Sequence, residues 1–284
     1  AHALPRTGAR RLTIVPHGTL FRLSFAGLRS SSGRYLLEDF EIHYTPSLGV
    51  LGATEATARH AATSGALVVA APVLGKALSS EGLEPLPGAA AEGTAVAALA
   101  APPAAAVLIG PRATESEVRR LAGGRRVLHF ASHAVVSDDH PLDSFLALAS
   151  GAAGGDADGR FTAEEVYELR LDADLVVLSA CRTAGGRVTG DGISGLARAF
   201  VYAGTPSVVA TLWDLPDVAG AFALPRFYRE RTRGGTKAAA LRSAQLALLR
   251  ALRGGRITVD SPAGRFALPE HPTFWAGLVL VGEP

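Results

Sequence analysis

Cysteine and methionine are almost missing from this chain. Its 284 residues include one cysteine, Cys181, and no methionine. A single cysteine cannot form an internal disulfide, so we expect the protein to work in a reducing compartment, the cytoplasm. Because even an initiator methionine is absent, we expect the sequence to be a fragment or a processed product of a longer protein.

Long apolar runs and blocks of one charge are missing as well. No run of about 18 uncharged apolar residues occurs, and the N-terminus has no signal-peptide pattern, so no membrane association is indicated. The 28 basic and 26 acidic residues are interspersed and give a net charge of +2. Nothing in this distribution indicates a surface that binds nucleic-acid phosphates directly. The bias toward alanine, glycine and arginine is typical of a GC-rich bacterial source.

Short apolar segments alternate with amphipathic ones along most of the chain. Strands are predicted at Leu12–Val15, Leu20–Phe25, Tyr35–Tyr44, Leu67–Ala71, Val107–Ile109, Arg126–Ser132, Ser144–Ala149, Leu175–Leu178, Val208–Leu212 and Gly277–Val281. Helices are predicted at 47–62, 89–100, 115–121, 163–169, 193–203, 218–231 and 236–252. This alternation predicts an α/β fold with a mostly parallel central sheet and helices on both faces.

The domain organisation follows from the same pattern. No internal repeat and no clear linker interrupts the alternation of strands and helices. We therefore expect one domain over 1–284. If the chain divides, the best place is near residue 110, between a non-catalytic part, 1–110, and a catalytic part, 111–284.

The lone cysteine follows a predicted buried strand, where α/β folds place their ligands. His133 also ends a predicted strand, 48 residues before Cys181. Since the carboxyl ends of parallel strands meet at one edge of a sheet, both side chains would face one cleft. Caspases have the signature Q-A-C-[RQG]-G, with the histidine about 50 residues upstream. The string Ser179-Ala180-Cys181-Arg182-Thr183 matches three of its positions. The alternative is a buried structural cysteine.

Three other motifs bear on the function, and none of them fits its usual context or is complete. The segment Gly190-Asp191-Gly192-Ile193-Ser194-Gly195 matches the dinucleotide fingerprint G-x-G-x-x-G, but it does not follow a strand directly. His129 and His133 form an H-x-x-x-H pair without the glutamate that zinc proteases need, and they lie on a predicted strand, so His129 is expected to be a core histidine. The chain has no G-x-S-x-G elbow, which argues against an α/β-hydrolase.

Several longer segments resemble one known family. They are VLHFASHAVVSDDHPLDSFLAL (127–148), FTAEEVYELRLDADLVVLSACRTAGG (161–186), GDGISGLARAFVYAGTPSVVATLWDLPD (190–217) and HPTFWAGLVLVG (271–282). In these segments the chain resembles CHAT domains, a caspase-like family of clan CD cysteine peptidases related to caspases and separases. The resemblance implies a caspase-like three-layer sandwich.

The resemblance also implies a cysteine endopeptidase with a Cys–His dyad. Cys181 would be the nucleophile and His133 the general acid and base. The oxyanion hole would use the backbone N–H groups of Ala134 and Cys181. The family usually has glycine at position 134, so a positive φ there would strain the alanine. No metal and no cofactor are implied.

We expect the loops beside the dyad to determine which substrates bind. The candidate substrate-binding residues are Ser144, Arg182, Asp191, Trp213 and Asp214, with Asp138, Asp139 and Asp217 as further acidic candidates. An acidic pocket would select arginine or lysine, and an apolar pocket lined by Trp213 would select leucine-like residues.

The family resemblance places the domain in a bacterial regulated-proteolysis system. Its context would be antiphage (antiviral) defence or cell death, with a gasdermin-like or other operon-encoded protein substrate and a fused or associated tetratricopeptide-repeat region. Two alternatives stay open. One is a catalytically inactive caspase-like binding or scaffold module, and the other is a nucleotide-binding regulator.

Overall fold

The computed structural model describes residues 10–100, 105–137, 139–151, 158–179, 190–261 and 264–284. In these residues the helices are α1 (Leu36–Asp39), α2 (Leu48–Ala58), α3 (Lys76–Ser80), α4 (Ala89–Ala100), α5 (Glu115–Leu121), α6 (Ala163–Tyr167), α7 (Gly190–Tyr202), α8 (Asp217–Thr232) and α9 (Lys237–Arg253). The strands are β1 (Arg11–Ile14), β2 (Glu41–Tyr44), β3 (Ala66–Pro72), β4 (Ala105–Gly110), β5 (Val127–Ala131), β6 (Ala134–Val135), β7 (Phe145–Ala147), β8 (Arg160–Thr162), β9 (Leu175–Leu178), β10 (Ser207–Thr211), β11 (Thr258–Ser261), β12 (Gly264–Ala267) and β13 (Leu278–Gly282).

An eight-stranded sheet forms the centre of the molecule. Its strand order is β1-β2-β13-β10-β9-β5-β3-β4. Neighbouring strands are parallel except at the β10–β13 junction, which is antiparallel. The carboxyl ends of β3, β4, β5, β9 and β10 therefore lie at one edge of the sheet, and the predicted mostly parallel sheet is confirmed.

Helices cover both faces of this sheet and enclose two hydrophobic cores. On one face, α4, α8 and α9 pack against side chains such as Val68, Val177 and Val209. On the other face, α5, α6 and α7 pack against the alternate positions, including Val69 and Val176. Successive strand residues point to opposite faces, so strands buried on both sides need continuous apolar runs. The four residues of β9, LVVL, are all buried for this reason.

The helix ends follow the local sequence. The Thr162 hydroxyl accepts the Glu165 N–H at 3.2 Å, and the Glu165 carboxylate accepts the Thr162 N–H at 2.8 Å, which completes the predicted capping box of α6. After α7 the chain turns at Gly204, where φ is +115°. A Cβ there would lie 2.0 Å from the Leu171 carbonyl oxygen, so glycine is required at this turn.

Near the N-terminus one predicted strand is wrong and another is too long. Residues 20–22 belong to the 3₁₀ turn Gly18–Arg22, and Phe25 begins a second one, Phe25–Gly27. Tyr35–Tyr44 divides into the short helix α1 and the strand β2, which pairs in parallel with β1. Alternating apolar residues fit a 3₁₀ turn at the sheet margin as well as a strand, because either conformation buries one side of the segment.

Smaller elements lie outside the central sheet. Strands β6, β7 and β8 form a three-stranded sheet that follows β5, and β11 and β12 form an antiparallel pair that the sequence did not predict. The first 110 residues supply β1 and β2 on one side of the central sheet and β3 and β4 on the other. The later strands β5, β9, β10 and β13 lie between them.

Candidate active site

Positions 133 and 181 follow two neighbouring strands of the central sheet at the same distance along the chain. Strands β5 and β9 are parallel neighbours in which Phe130 is opposite Leu178. His133 follows Phe130 by three residues, and Cys181 follows Leu178 by three residues. Pairing continues one step further, because the Ser179 N–H donates to the Phe130 carbonyl at 2.8 Å. Cys181 itself lies outside the described residues.

His133 is held in one orientation. Its ring is 2% exposed, and Nε2 lies 2.6 Å from the backbone carbonyl oxygen of Glu84. A carbonyl oxygen only accepts hydrogen bonds, so Nε2 carries the hydrogen and donates it. The other nitrogen, Nδ1, is buried and has no hydrogen-bond partner among the described residues. In the neutral ring Nδ1 therefore presents an unused lone pair, which is the form a general base needs.

The Glu84 carbonyl is fixed by apolar packing around it. Leu83 is fully buried and packs with Leu78, Phe145 and Ala147 in a small cluster between α3 and the three-stranded sheet. This cluster anchors the segment between α3 and α4 against the loop that carries His133. The imidazole is therefore oriented by the packing of a neighbouring segment.

Ala134 has ordinary backbone geometry. Among the described residues, Ala71 is the one non-glycine residue with a positive φ, so Ala134 is not strained in this way. Ala134 is opposite Leu146 in the β6–β7 pair, and the Ala147 N–H donates to the His133 carbonyl at 2.9 Å. That bond flanks the pair, so Ala134 and Leu146 form a non-hydrogen-bonded pair. The Ala134 N–H is consequently directed away from β7.

A small cleft opens directly beside these strand ends, with a volume of about 70 Å³. Ala131, Ser179 and Thr211 form its wall on the sheet side. Ala131 and Ser179 each precede a predicted dyad residue by two positions. The opposite wall is formed by the first turns of α4 and α8, which contribute the carboxylates of Glu92 and Asp217. The cleft is thus acidic and adjoins the predicted dyad.

His129 lies behind this cleft and is fully buried, as predicted for a core histidine. Its Nε2 is 3.0 Å from Oε1 of Glu92, and its Nδ1 is 3.0 Å from the hydroxyl of Tyr228. Burial raises the pKa of Tyr228 well above its usual range, so the phenol keeps its proton and can donate it to Nδ1. The Nε2–H then donates to the Glu92 carboxylate. His129 is accordingly a positioning group for Glu92.

The predicted substrate residues occupy different environments. Ser144 is fully buried, and its hydroxyl accepts the Ser137 N–H at 3.1 Å inside the loop after β6. Trp213 is half-buried beside the cleft strand β10, and its indole N–H donates to the Thr273 carbonyl at 2.8 Å. Asp214 and Asp139 are exposed.

For three other predicted substrate residues, the structure describes the backbone only or nothing. Arg182 and Asp138 lie outside the described residues. Asp191 is in the first turn of α7, and the structure describes its backbone only. Among the predicted substrate residues whose side chains the structure describes, Asp217 is the one that lines the cleft.

Glu84 and Glu92 were not predicted from the sequence. Glu84 contributes a backbone carbonyl, and any residue type supplies that group. Glu92 precedes His133 by 41 residues, in the alanine-rich predicted helix 89–100. No spacing rule connects either position to the strand ends. Only the packing of α4 on the sheet reveals them.

The glycine motif does not have the geometry of a dinucleotide site. That fingerprint needs its first glycine in a turn directly after a strand. Here Gly190, Gly192 and Gly195 are all within helix α7.

The described residues contain neither a metal-binding cluster nor a membrane-spanning helix. No group of three or more histidine, cysteine or carboxylate side chains in the described ranges is arranged to hold a metal ion. Within the same ranges, none of the helices combines the length and apolar character needed to cross a bilayer.

A solved structure with a similar arrangement supports the fold class. The chain is similar to the Arg specific cysteine proteinase gingipain R, with a TM-score of 0.51 and 11% identity over 86% of this chain and 54% of the other. It is also similar to separase in the Saccharomyces cerevisiae separase–securin complex, with a TM-score of 0.48 and 12% identity over 87% and 14% of the two chains. The fold is a caspase-like α/β sandwich, as the sequence predicted.

The particular family follows from the sequence comparison. The chain belongs to the CHAT domain family, whose model matches residues 1–283. It is 28% identical over 313 aligned residues to human Tetratricopeptide repeat protein 28. The match covers 96% of this chain, which spans about 12% of the length of that relative. The predicted family is therefore confirmed.

Proposed function

We propose that this domain is a cysteine endopeptidase with Cys181 as nucleophile and His133 as general base and acid. The observation that carries the proposal is the buried Nδ1 of His133, which has no hydrogen-bond partner among the described residues. His133 and Cys181 also follow paired positions of β5 and β9 by the same three residues. A buried polar atom without a partner is costly in a folded protein. Its retention is explained if Nδ1 exchanges a proton with the thiol of Cys181, the only cysteine of the chain.

The reaction would begin with proton transfer from the Cys181 thiol to Nδ1 of His133. The resulting thiolate attacks the peptide carbonyl, and the oxyanion that forms accepts hydrogen bonds from the backbone N–H groups of Ala134 and Cys181. The tetrahedral adduct collapses to a thioester as His133 returns its proton to the leaving amine. Water, deprotonated by His133, then attacks the thioester and regenerates the thiol.

The Glu84 carbonyl assists each protonation of His133. Its oxygen already accepts the Nε2–H when the ring is neutral. This hydrogen bond strengthens when the ring becomes an imidazolium ion, because bonds from charged donors are stronger than neutral ones. In addition, the bond fixes the tautomer, so that the lone pair is always on Nδ1.

Single substitutions test this assignment with a fluorogenic peptide library. We expect Cys181→Ala and His133→Ala each to lower kcat/KM by about 10⁴-fold or more, since the two groups act as one unit. The matched control His140→Ala changes an exposed histidine that lies outside the dyad and should retain activity. Thermal unfolding of each variant shows whether it is folded.

A scaffold role is the alternative outcome of the same experiment. If a thiol-directed peptide probe leaves Cys181 unlabelled and no peptide is cleaved, with and without a tetratricopeptide-repeat region, the endopeptidase proposal is wrong. The caspase-like domain would then be a binding module.

The biological setting follows from the family and its relatives. The similarity to a tetratricopeptide repeat protein supports association of this domain with such repeats. Bacterial regulated proteolysis in antiphage defence or cell death, a gasdermin-like substrate and a cytoplasmic location stay predictions from the family resemblance.

A further inference from the structure

The acidic cleft has the position of a substrate subsite. Its sheet-side wall contains Ala131 of β5 and Ser179, two residues before His133 and Cys181. These wall residues are on the sheet face that packs against α4 and α8. A side chain that enters the cleft would leave its own backbone carbonyl at the strand ends, where the dyad follows. The cleft therefore fits the residue immediately before the scissile bond.

The charge of the cleft favours a cation. Glu92 and Asp217 are its charged lining residues, and both lie in the first turns of their helices. Each helix N-terminus supplies roughly half a positive unit charge, which offsets only part of two carboxylates. Among the described residues, no lysine or arginine forms an ion pair with Glu92. Within the described residues, the position of an ion-pair partner for Glu92 is therefore available to a cationic side chain of a substrate.

A hydrogen bond from a buried histidine holds the Glu92 side chain in place. Its side chain is 10% exposed, and Oε1 accepts the hydrogen bond from His129, which is fixed in turn by Tyr228. The other oxygen, Oε2, lies 3.6 Å from the position that a Cβ would take at Gly220. Gly220 and Glu92 both line the cleft, so this carboxylate oxygen lies on the side of Glu92 that faces α8 across the cleft.

We propose that Glu92 is the specificity-determining residue of this cleft and selects substrates with arginine or lysine immediately before the scissile bond. His129 and Tyr228 are its positioning residues. Asp217, at the exposed rim, adds attraction for the incoming cation. This inference rests on the proposed endopeptidase function.

The kinetic test compares matched peptides that differ only at the residue before the scissile bond. With arginine, lysine, citrulline and norleucine there, the unmodified domain should prefer the two cationic residues. Glu92→Gln should lower kcat/KM for the arginine peptide roughly 100-fold, as expected when one partner of a desolvated charge pair is removed. It should leave the citrulline and norleucine peptides nearly unchanged. The matched control is Glu164→Gln, which alters an exposed first-turn glutamate of α6.

A second variant separates positioning from folding. Tyr228→Phe removes the donor to His129 Nδ1, so the ring can adopt the tautomer whose Nε2 lone pair faces the Glu92 carboxylate. We expect KM for cationic peptides to rise several-fold at unchanged kcat, with neutral peptides unaffected. A purely structural role of the hydroxyl would instead lower the activity toward all four peptides together.

A binding measurement separates failure of the subsite from failure of the proposed function. Calorimetry on Cys181→Ala uses acetylated tripeptide methylamides that end in arginine or in norleucine. The arginine peptide should bind at least about ten times more tightly, and Glu92→Gln should abolish the difference. Equal affinities, or no binding of the arginine peptide, would overturn the subsite. Arginine-selective binding without cleavage of any peptide would leave the subsite standing and reject the endopeptidase.

Discussion

A histidine ring with one nitrogen bonded to a backbone carbonyl and the other buried without a partner is expensive to keep in a core. His129 shows the contrast, since both of its ring nitrogens have partners in Glu92 and Tyr228. The two histidines are four residues apart, His129 within β5 and His133 just after it. Both ring nitrogens of His129 are hydrogen-bonded, whereas Nδ1 of His133 has no partner among the described residues, as its proposed role in proton transfer requires.

A buried carboxyl group at the start of α5 gives a prediction at the residue scale. Burial raises the pKa of Glu115 to about 7, while the N–H of Gly159 donates to its carboxylate at 2.8 Å and partly opposes the shift. The folded state therefore favours the protonated acid. The free energy of unfolding should fall as the pH rises from about 4.5 through about 7.

Replacing Glu115 with glutamine should remove much of this fall. The amide oxygen can still accept the Gly159 N–H, and no buried charge forms at high pH. We expect Glu115→Gln to be more stable than the parent at pH 8 by on the order of 2 kcal/mol, with little difference at pH 4. Urea unfolding across this pH range measures the effect, and the half-buried Glu117→Gln on the same helix should retain the parent's decline. A difference that does not depend on pH would contradict the prediction.

At the scale of elements, one buried amine connects a helix to three strands. Lys237, at the start of α9, places Nζ 2.6 Å from the Asp174 carboxylate, 2.8 Å from the Ser207 hydroxyl and 2.5 Å from the Glu283 carboxylate. These partners adjoin β9, β10 and β13. The cluster therefore fixes α9 at the edge of the sheet opposite the cleft.

Loss of this amine would leave two carboxylates without their shared partner. We expect Lys237→Met to lower the free energy of unfolding by about 3 kcal/mol, the lower end of the range for a broken buried ion pair. Asp174 keeps its ion pair with Arg231, whereas the Glu283 carboxylate loses its partner. The chain contains two lysines, and the exposed Lys76 provides the control, for which Lys76→Met should change stability by less than about 0.5 kcal/mol. Guanidinium unfolding measures both. A cost near that of the control would show that the cluster contributes little.

The sequence revealed the central elements better than the marginal ones. Apolar runs such as 175–178 and 208–212 have no place except the interior, so their strands could be predicted together with the residues that end them. The segment 20–25 has the same alternation at the sheet margin, where solvent permits several conformations. Glu84 and Glu92 could not be found, because their roles arise from the docking of α4 and the segment before it.

At the scale of the whole molecule, the interleaved strand order predicts cooperative unfolding. Leu67 of β3 and Leu128 of β5 are opposite each other in the sheet and fully buried, although they belong to the two halves of the chain. Leu67→Ala should cost about 2–5 kcal/mol. We expect tryptophan fluorescence and far-UV circular dichroism to shift by the same denaturant concentration.

The position of the tryptophans makes this measurement decisive. Trp213 and Trp275 are both beyond residue 110, so fluorescence reports on the later part of the chain. If residues 1–110 unfolded as a separate unit, Leu67→Ala would shift only part of the dichroism signal and leave fluorescence unchanged. Leu128→Ala is the matched control and should shift both signals in either case.

The register of β5 and β9 decides which changes in chain length the site tolerates. His133 and Cys181 each follow a paired strand position by three residues. The connection between the two strands only has to begin after β5 and end before β9. Insertions in that connection change the separation of 48 residues without changing either three-residue offset. One extra residue directly after β5 or β9 would displace one member of the proposed dyad by about 3.3 Å, more than the reach of a hydrogen bond. For the proposed dyad we therefore expect the separation along the chain to drift during divergence, and the two short offsets to stay fixed.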